Sequence, residues 1–241
     1  MPVSPFELVI ALVVTVLGAI VQGTIGVGFG ILSVPSLSLI NPILAPVPQL
    51  LLAVPLAMSM TWRERTHIDA KSVGWLLAGR IPGAFLGLWV LSLAAQQSID
   101  IGIALSVIVA VLILGTGITV HRNASTEFGT GIIAGIMGMV ASMGGPPAAL
   151  LFKDAEGPTV RASLALFFSG GLIVTVIFRS FAGRITGDDV LIALLLLPGL
   201  LSGYVISSRL RHRLDGHAIR PAILTVSTIA AVGLLVRAIA G

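Results

Sequence analysis

Gly23-Thr24-Ile25-Gly26-Val27-Gly28-Phe29-Gly30, with Pro35 behind it, interrupts an apolar run that extends from residue 6 to 40. A straight helix crosses a hydrocarbon core of roughly 30 Å with about 20 residues, so this run is too long for one span. Four glycines in eight positions also make a poor helix interior, each costing roughly 1 kcal/mol relative to alanine. The stretch therefore predicts a break. One helix enters over 6–22, the backbone opens, and a second, shorter helix leaves over 28–40. A break of similar composition recurs at Ser142-Met143-Gly144-Gly145-Pro146-Pro147.

The rest of the chain fits a membrane setting. Of its 241 residues, 56% are hydrophobic and only 10% charged, against about 25% charged in a soluble domain. Mean hydropathy is +1.08. Apolar segments of spanning length follow one another at 47–62, 73–93, 99–120, 128–141, 146–152, 162–178, 190–207 and 219–239. The fold class is all-α: a polytopic membrane protein of about 8–10 membrane segments, the count depending on whether the short arms cross or re-enter. No Lys or Arg precedes Arg63, so the first apolar run lacks a signal peptide's basic flank and reads as a retained helix. Without cysteine there is no disulfide, thiolate metal site or cysteine nucleophile. The four histidines fall in loops without a ligand partner at helical spacing, which argues against a metal. The net charge of +4 resides in short loops, so no nucleic-acid partner is expected.

An internal repeat is visible at an offset of 116, the separation of Pro82 and Pro198. It lays Arg80-Ile81-Pro82-Gly83 through Gly87 over Leu196-Leu197-Pro198-Gly199 through Gly203. It also lays Gly28 on Gly144, Pro42 on Pro158, and Trp62-Arg63 on Phe178-Arg179. The chain thus reads as two membrane repeats, 1–120 and 121–241. Loop charge adds direction. The loop at 94–98 is uncharged, whereas its counterpart holds Arg209, Arg211 and Arg213. The loop at 41–45 is uncharged, whereas its counterpart holds Lys153 and Arg161. Equivalent loops of opposite basic content are expected of inverted repeats.

The breaks are also the candidate site. A helix that opens after a glycine turn exposes main-chain N–H groups and the positive end of its dipole, which attract anions without a charged side chain. Two such ends from inverted halves would enclose a small oxyanion. Gln22, Thr24 and Ser33 would add donors on one side and Ser142 on the other. Arg80 lies about 10 Å inside its span at 1.5 Å per residue. It reads either as a counter-charge for the anion or as a residue that snorkels to the headgroups. Arg179 reads as an interfacial anchor. The small-residue spacings Gly83/Gly87, Gly199/Gly203 and Gly131/Gly135 read as helix-packing surfaces.

Three stretches together resemble the sulfite exporter TauE/SafE family over nearly the whole chain: Gln22–Gly30 with Pro35, Gly135-Ile136-Met137-Gly138 leading to Gly144-Gly145-Pro146-Pro147, and Pro82-Gly83 to Gly87. The resemblance implies a two-fold repeated helical transporter for sulfite, sulfonates and related anions. It also implies that Gly26, Gly28, Gly30, Pro35, Gly144, Gly145 and Pro146 form the substrate region. Together with the residue reading, the expected substrate-binding set is Gln22, Gly23, Thr24, Gly26, Gly28, Gly30, Pro35, Ser142, Gly144, Gly145, Pro146 and Arg80.

The expected function is secondary transport of small sulfur-containing anions by alternating access, in the bacterial inner membrane. The expected partners are a small anion and the bilayer. A coupling ion, for which opened carbonyls offer a sodium route, and a second copy of the chain are compatible additions. No cofactor is expected. A passive anion channel is the alternative. A lipid-phosphate enzyme is a distant third, because the breaks carry no acid or histidine for its chemistry. No Asp or Glu falls clearly inside a span.

Overall fold

A computed structural model describes residues 3–94, 96–115, 120–152, 154–210 and 216–240. Lys153, Arg211, Arg213 and His212 of the loop reading lie outside the described residues. The described chain is helical, without strands. In order it forms α1 (Pro5–Ile25), α2 (Phe29–Ile40), α3 (Val47–Glu64), α4 (Ala70–Leu93), α5 (Gln96–Gly115), α6 (Ala124–Ala141), α7 (Gly145–Leu151), α8 (Gly157–Phe181), α9 (Gly187–Leu210) and α10 (Gly216–Ala240). Among the described residues, six helical segments are long and apolar enough to cross a membrane. α2 is a shorter apolar helix and α7 spans only 7 residues.

Helix ends follow local chemistry. Ser4 and Glu7 form a capping box at the start of α1, and Asn123 forms one with Thr126 at the start of α6. That cap lets α6 begin at Ala124, inside the stretch 121–127 that the sequence assigns to a loop. Pro158 sits in the first turn of α8, where its missing N–H costs nothing, so α8 starts five residues ahead of the expected 162. Pro82 and Pro198 lie inside α4 and α9 without ending them.

The helices interlock across the two halves. α4 packs on α6 and α1 on α9, and both seams rest on glycine. A Cβ at Gly79 or Gly83 would overlap the main-chain carbonyls of Phe128 or Ile132, and one at Gly131 would overlap that of Leu76. In the second seam, a Cβ at Gly203 would lie 2.5 Å from the Val16 carbonyl oxygen, and one at Gly199 3.2 Å from that of Leu12. These glycines are therefore packing surfaces that let backbones touch. The 116-residue offset carries the first seam onto the second. α3 packs on α8 and α5 on α10, which the same exchange leaves unchanged.

Contacts at the ends fix direction. The Asn41 side chain donates to Glu7 at 3.2 Å, Arg237 donates to the Leu39 carbonyl, and Arg184 donates to the Leu91 carbonyl, all at one end. At the other end Arg122 pairs with Asp69, and Arg161 pairs with Glu64 at 3.6 Å. α1 begins at the first end and α6 at the second.

Candidate functional site

Both breaks exist, and they meet. α1 stops because Gly26 adopts φ 98° and returns its N–H to the Gln22 carbonyl at 2.8 Å. Gly28 follows at φ 134° and leads into α2. Both angles lie where only glycine is at ease. α6 stops at Ser142, which takes the left-handed conformation at φ 56°, and α7 starts at Gly145. The two turns are in contact. A Cβ at Gly30 would approach the Ser142 carbonyl oxygen to 3.1 Å, and one at Gly145 would approach Val27 to 3.2 Å.

Between them lies a cavity of about 50 Å³, room for a few water-sized groups at roughly 10–15 Å³ each. The expected residues Gln22, Gly28, Gly30, Arg80, Ser142, Gly144, Gly145 and Pro146 line it, with Phe168 and Leu172 on the apolar side. Among the described residues, no carboxylate lines it.

Four expected residues do other work. The Gly23 carbonyl accepts from Arg63 at 2.9 Å. The Thr24 hydroxyl bonds back to the Ile20 carbonyl at 2.7 Å, a common fate for threonine in a last turn. Gly26 ends α1 against Arg161. Pro35 is buried within α2, beyond the break. Ser33 likewise bonds back, to the Phe29 carbonyl.

Each side of the cavity supplies polar groups differently. On the α2 side, the Gln22 side-chain oxygen accepts from the Phe29 N–H at 3.1 Å. The N–H groups of Gly30 and Ile31 come next in that first turn, where a helix has no carbonyl of its own to offer them. On the α7 side, Pro146 and Pro147 lack N–H groups altogether. There the polar groups are side chains: among the described residues, the buried Ser142 hydroxyl has no partner, and neither do Nε and Nη1 of Arg80.

Arg80 is 1% exposed, so it does not snorkel. Its Cζ sits 5.0 Å from the Phe167 ring centroid, and Nη2 reaches Thr175 only at 3.5 Å. Three glycines make its slot. A Cβ at Gly138 would stand 2.6 Å from Nη2, and one at Gly144 or Gly171 would overlap the guanidinium. Among the described residues Arg80 has no carboxylate partner. A buried cation is expensive unless paired, and the slot answers Arg80 with one ring face and one long hydroxyl contact.

Arg179 corrects the sequence reading. It is 2% exposed, not an interfacial anchor, and donates to the carbonyls of Met139 and Val140 in the last turn of α6. Acids stand at the helix ends. Glu64, Asp100 and Glu127 are buried near helix ends, paired with Arg63 and Arg161, with Arg237, and with Arg122 respectively. At the same end as Glu127, burial pushes the Asp69 carboxyl up. Hydrogen bonds from the Ser72 main chain, Arg122 and the Ser72 hydroxyl outweigh that and hold it below the ordinary range.

Comparison with known proteins gives one result. A family model described as "Sulfite exporter TauE/SafE" matches residues 10–234. No curated protein and no solved structure matches the chain.

Proposed function

The chain belongs to the sulfite exporter TauE/SafE family, whose members are membrane transporters, and on that premise we propose that it carries small sulfur-containing anions. Sulfite and small sulfonates are its substrates, bound where the two helix breaks meet. One observation carries this reading above the others. The cavity between the breaks holds a buried guanidinium that has, among the described residues, two unpartnered N–H-bearing nitrogens and no carboxylate beside it in the lining. A compact oxyanion satisfies such a group through charge-assisted hydrogen bonds. The main-chain amides of α2 add the positive end of a helix dipole.

The protein works as a secondary transporter by alternating access. Residues 1–120 and 121–241 are two repeats inserted upside down relative to each other, so that the site sits at their interface. The bacterial inner membrane is its place, with the arginine-rich end on the cytoplasmic side. The pairing of α4 with α6 and of α1 with α9 supports a two-fold plan, as does the start of α1 and α6 at opposite ends.

Reconstituted protein tests the proposal. Sulfite flux into liposomes should saturate and should be accelerated by sulfite on the far side. Flux that rises linearly without counterflow would mean a passive channel, and no flux of sulfite or sulfonate would overturn the substrate class.

A further inference from the structure

The carbonyl ends of the two broken helices are already occupied. The last four carbonyls of a helix lack intrahelical donors, and they carry the negative end of its dipole. In α1 the Gly26 N–H takes the Gln22 carbonyl, and Arg63 Nη2 donates to the next one, Gly23, at 2.9 Å. In α6 Arg179 Nη2 donates to Met139 and, at 3.4 Å, to Val140. The 116-residue offset carries Arg63 onto Arg179 and Gly23 onto Met139, so the bonds are equivalent, donor and acceptor alike. Each arginine comes from the second helix after its own break, α3 or α8. In other carriers built on broken helices, unwound carbonyls and half-helix C-termini of this kind coordinate the coupling sodium ion.

We propose that Arg63 and Arg179 are resident cations that stand in for a coupling sodium ion at the two half-helix ends, so that anion transport proceeds without sodium. The inference rests on the transport reading for its consequence, but its physical core is separate. A tethered guanidinium neutralises each carbonyl end permanently, whatever cation is outside. The two positions differ in balance. Arg63 also donates to Glu64 at 3.2 Å, and Glu64 is shared with Arg161. Arg179 is more deeply buried and has no carboxylate within ion-pair distance among the described residues. Removing Arg179 therefore leaves the larger deficit, and removing Arg63 the smaller one.

Two measurements on the full chain test this, one of them independent of transport. Melting temperature in detergent should be the same in sodium, potassium and choline buffers for the wild type. Arg179→Ala should melt lower, and methylguanidinium at millimolar concentration should raise it again by occupying the vacated place. Arg63→Ala should respond in the same direction by less. In liposomes, wild-type sulfite flux should be equal in the three cations, while Arg179→Ala flux should fall by about tenfold or more and recover with methylguanidinium. A wild type whose flux falls about tenfold or more without sodium would overturn the inference and leave the transport reading standing. An Arg179→Ala protein that melts and transports like the wild type would overturn it too. So would one that melts lower and ignores methylguanidinium. Absent sulfite flux alongside the expected melting shifts would sink the transport reading and leave the cation assignment intact. If Arg179→Ala cannot be purified, the wild-type cation series still decides.

Discussion

The first break and the second occupy equivalent positions and solve the same problem with different materials. At the first, two glycines at φ 98° and 134° open the chain, a glutamine caps one amide, and a 12-residue helix presents the following amides to the cavity. At the second, a serine takes the left-handed turn, prolines remove the amides, and the helix that follows is short. Gln22 falls on Gly138 at the repeat offset, and Gly28 on Gly144. The positions whose counterparts carry a side chain or a strained turn are, in the second half, empty space that admits Arg80. The first turn gives the cavity main-chain N–H groups, and the second gives a glycine-lined slot for the guanidinium of Arg80, which α4 supplies.

That division of labour can be broken experimentally, and Arg80 is the place to begin. Arg80→Ala should lower sulfite affinity by about 2–5 kcal/mol, thirtyfold or more, the usual loss when one partner of a buried charged contact is removed. Saturation binding on purified protein measures it. Unchanged affinity would mean that the amides of α2 suffice alone.

Next come the two equivalent glycines. Gly144→Ala should displace the guanidinium and weaken sulfite binding by about tenfold, with a smaller loss of melting temperature. Gly28→Ala should do the reverse. Its Cβ would lie 2.5 Å from Val21 at φ 134°, and strain of about 1–3 kcal/mol would appear first as lowered melting temperature. Identical profiles for the two variants would erase the distinction between a turn that frames a charge and a turn that frames main-chain amides.

A smaller effect is expected at Gln22→Ala, which frees the Phe29 amide. Stability should drop by about 1 kcal/mol, while the extra bare amide should leave affinity equal or slightly better. A strong loss of affinity would show that the glutamine itself touches the anion.

The smallest effect concerns an end contact rather than the breaks. The Asp69 carboxyl titrates below its ordinary value in the folded protein. Its contribution is therefore complete above the unfolded value of about 4 and disappears as pH falls through the folded value. The melting temperature should be flat from neutral pH to about 5 and decline below about 4. Asp69→Asn should flatten part of that decline without touching affinity at neutral pH.

Much of this was readable from residues alone. Glycine clusters followed by proline marked both breaks because few other compositions tolerate them. The offset of 116 is legible because packing glycines and the Arg63/Arg179 pair recur at that spacing. What the chain could not disclose is where side chains turn. Thr24 looked like a donor to the site but satisfied itself on Ile20, an option every helical threonine has. Arg179 looked like an anchor because its nearest carbonyls lie 40 residues away in sequence. Arg80 was legible as deep, but its lack of a partner depends on Gly138, Gly144 and Gly171 from three other segments converging on it.

The glycine seams limit how this molecule can move. Because α1 lies backbone-to-backbone on α9, and α4 on α6, residues 1–120 cannot swing as a block against the rest without tearing both seams. The alternating access proposed above would therefore need moving bodies that each combine helices from before and after residue 120.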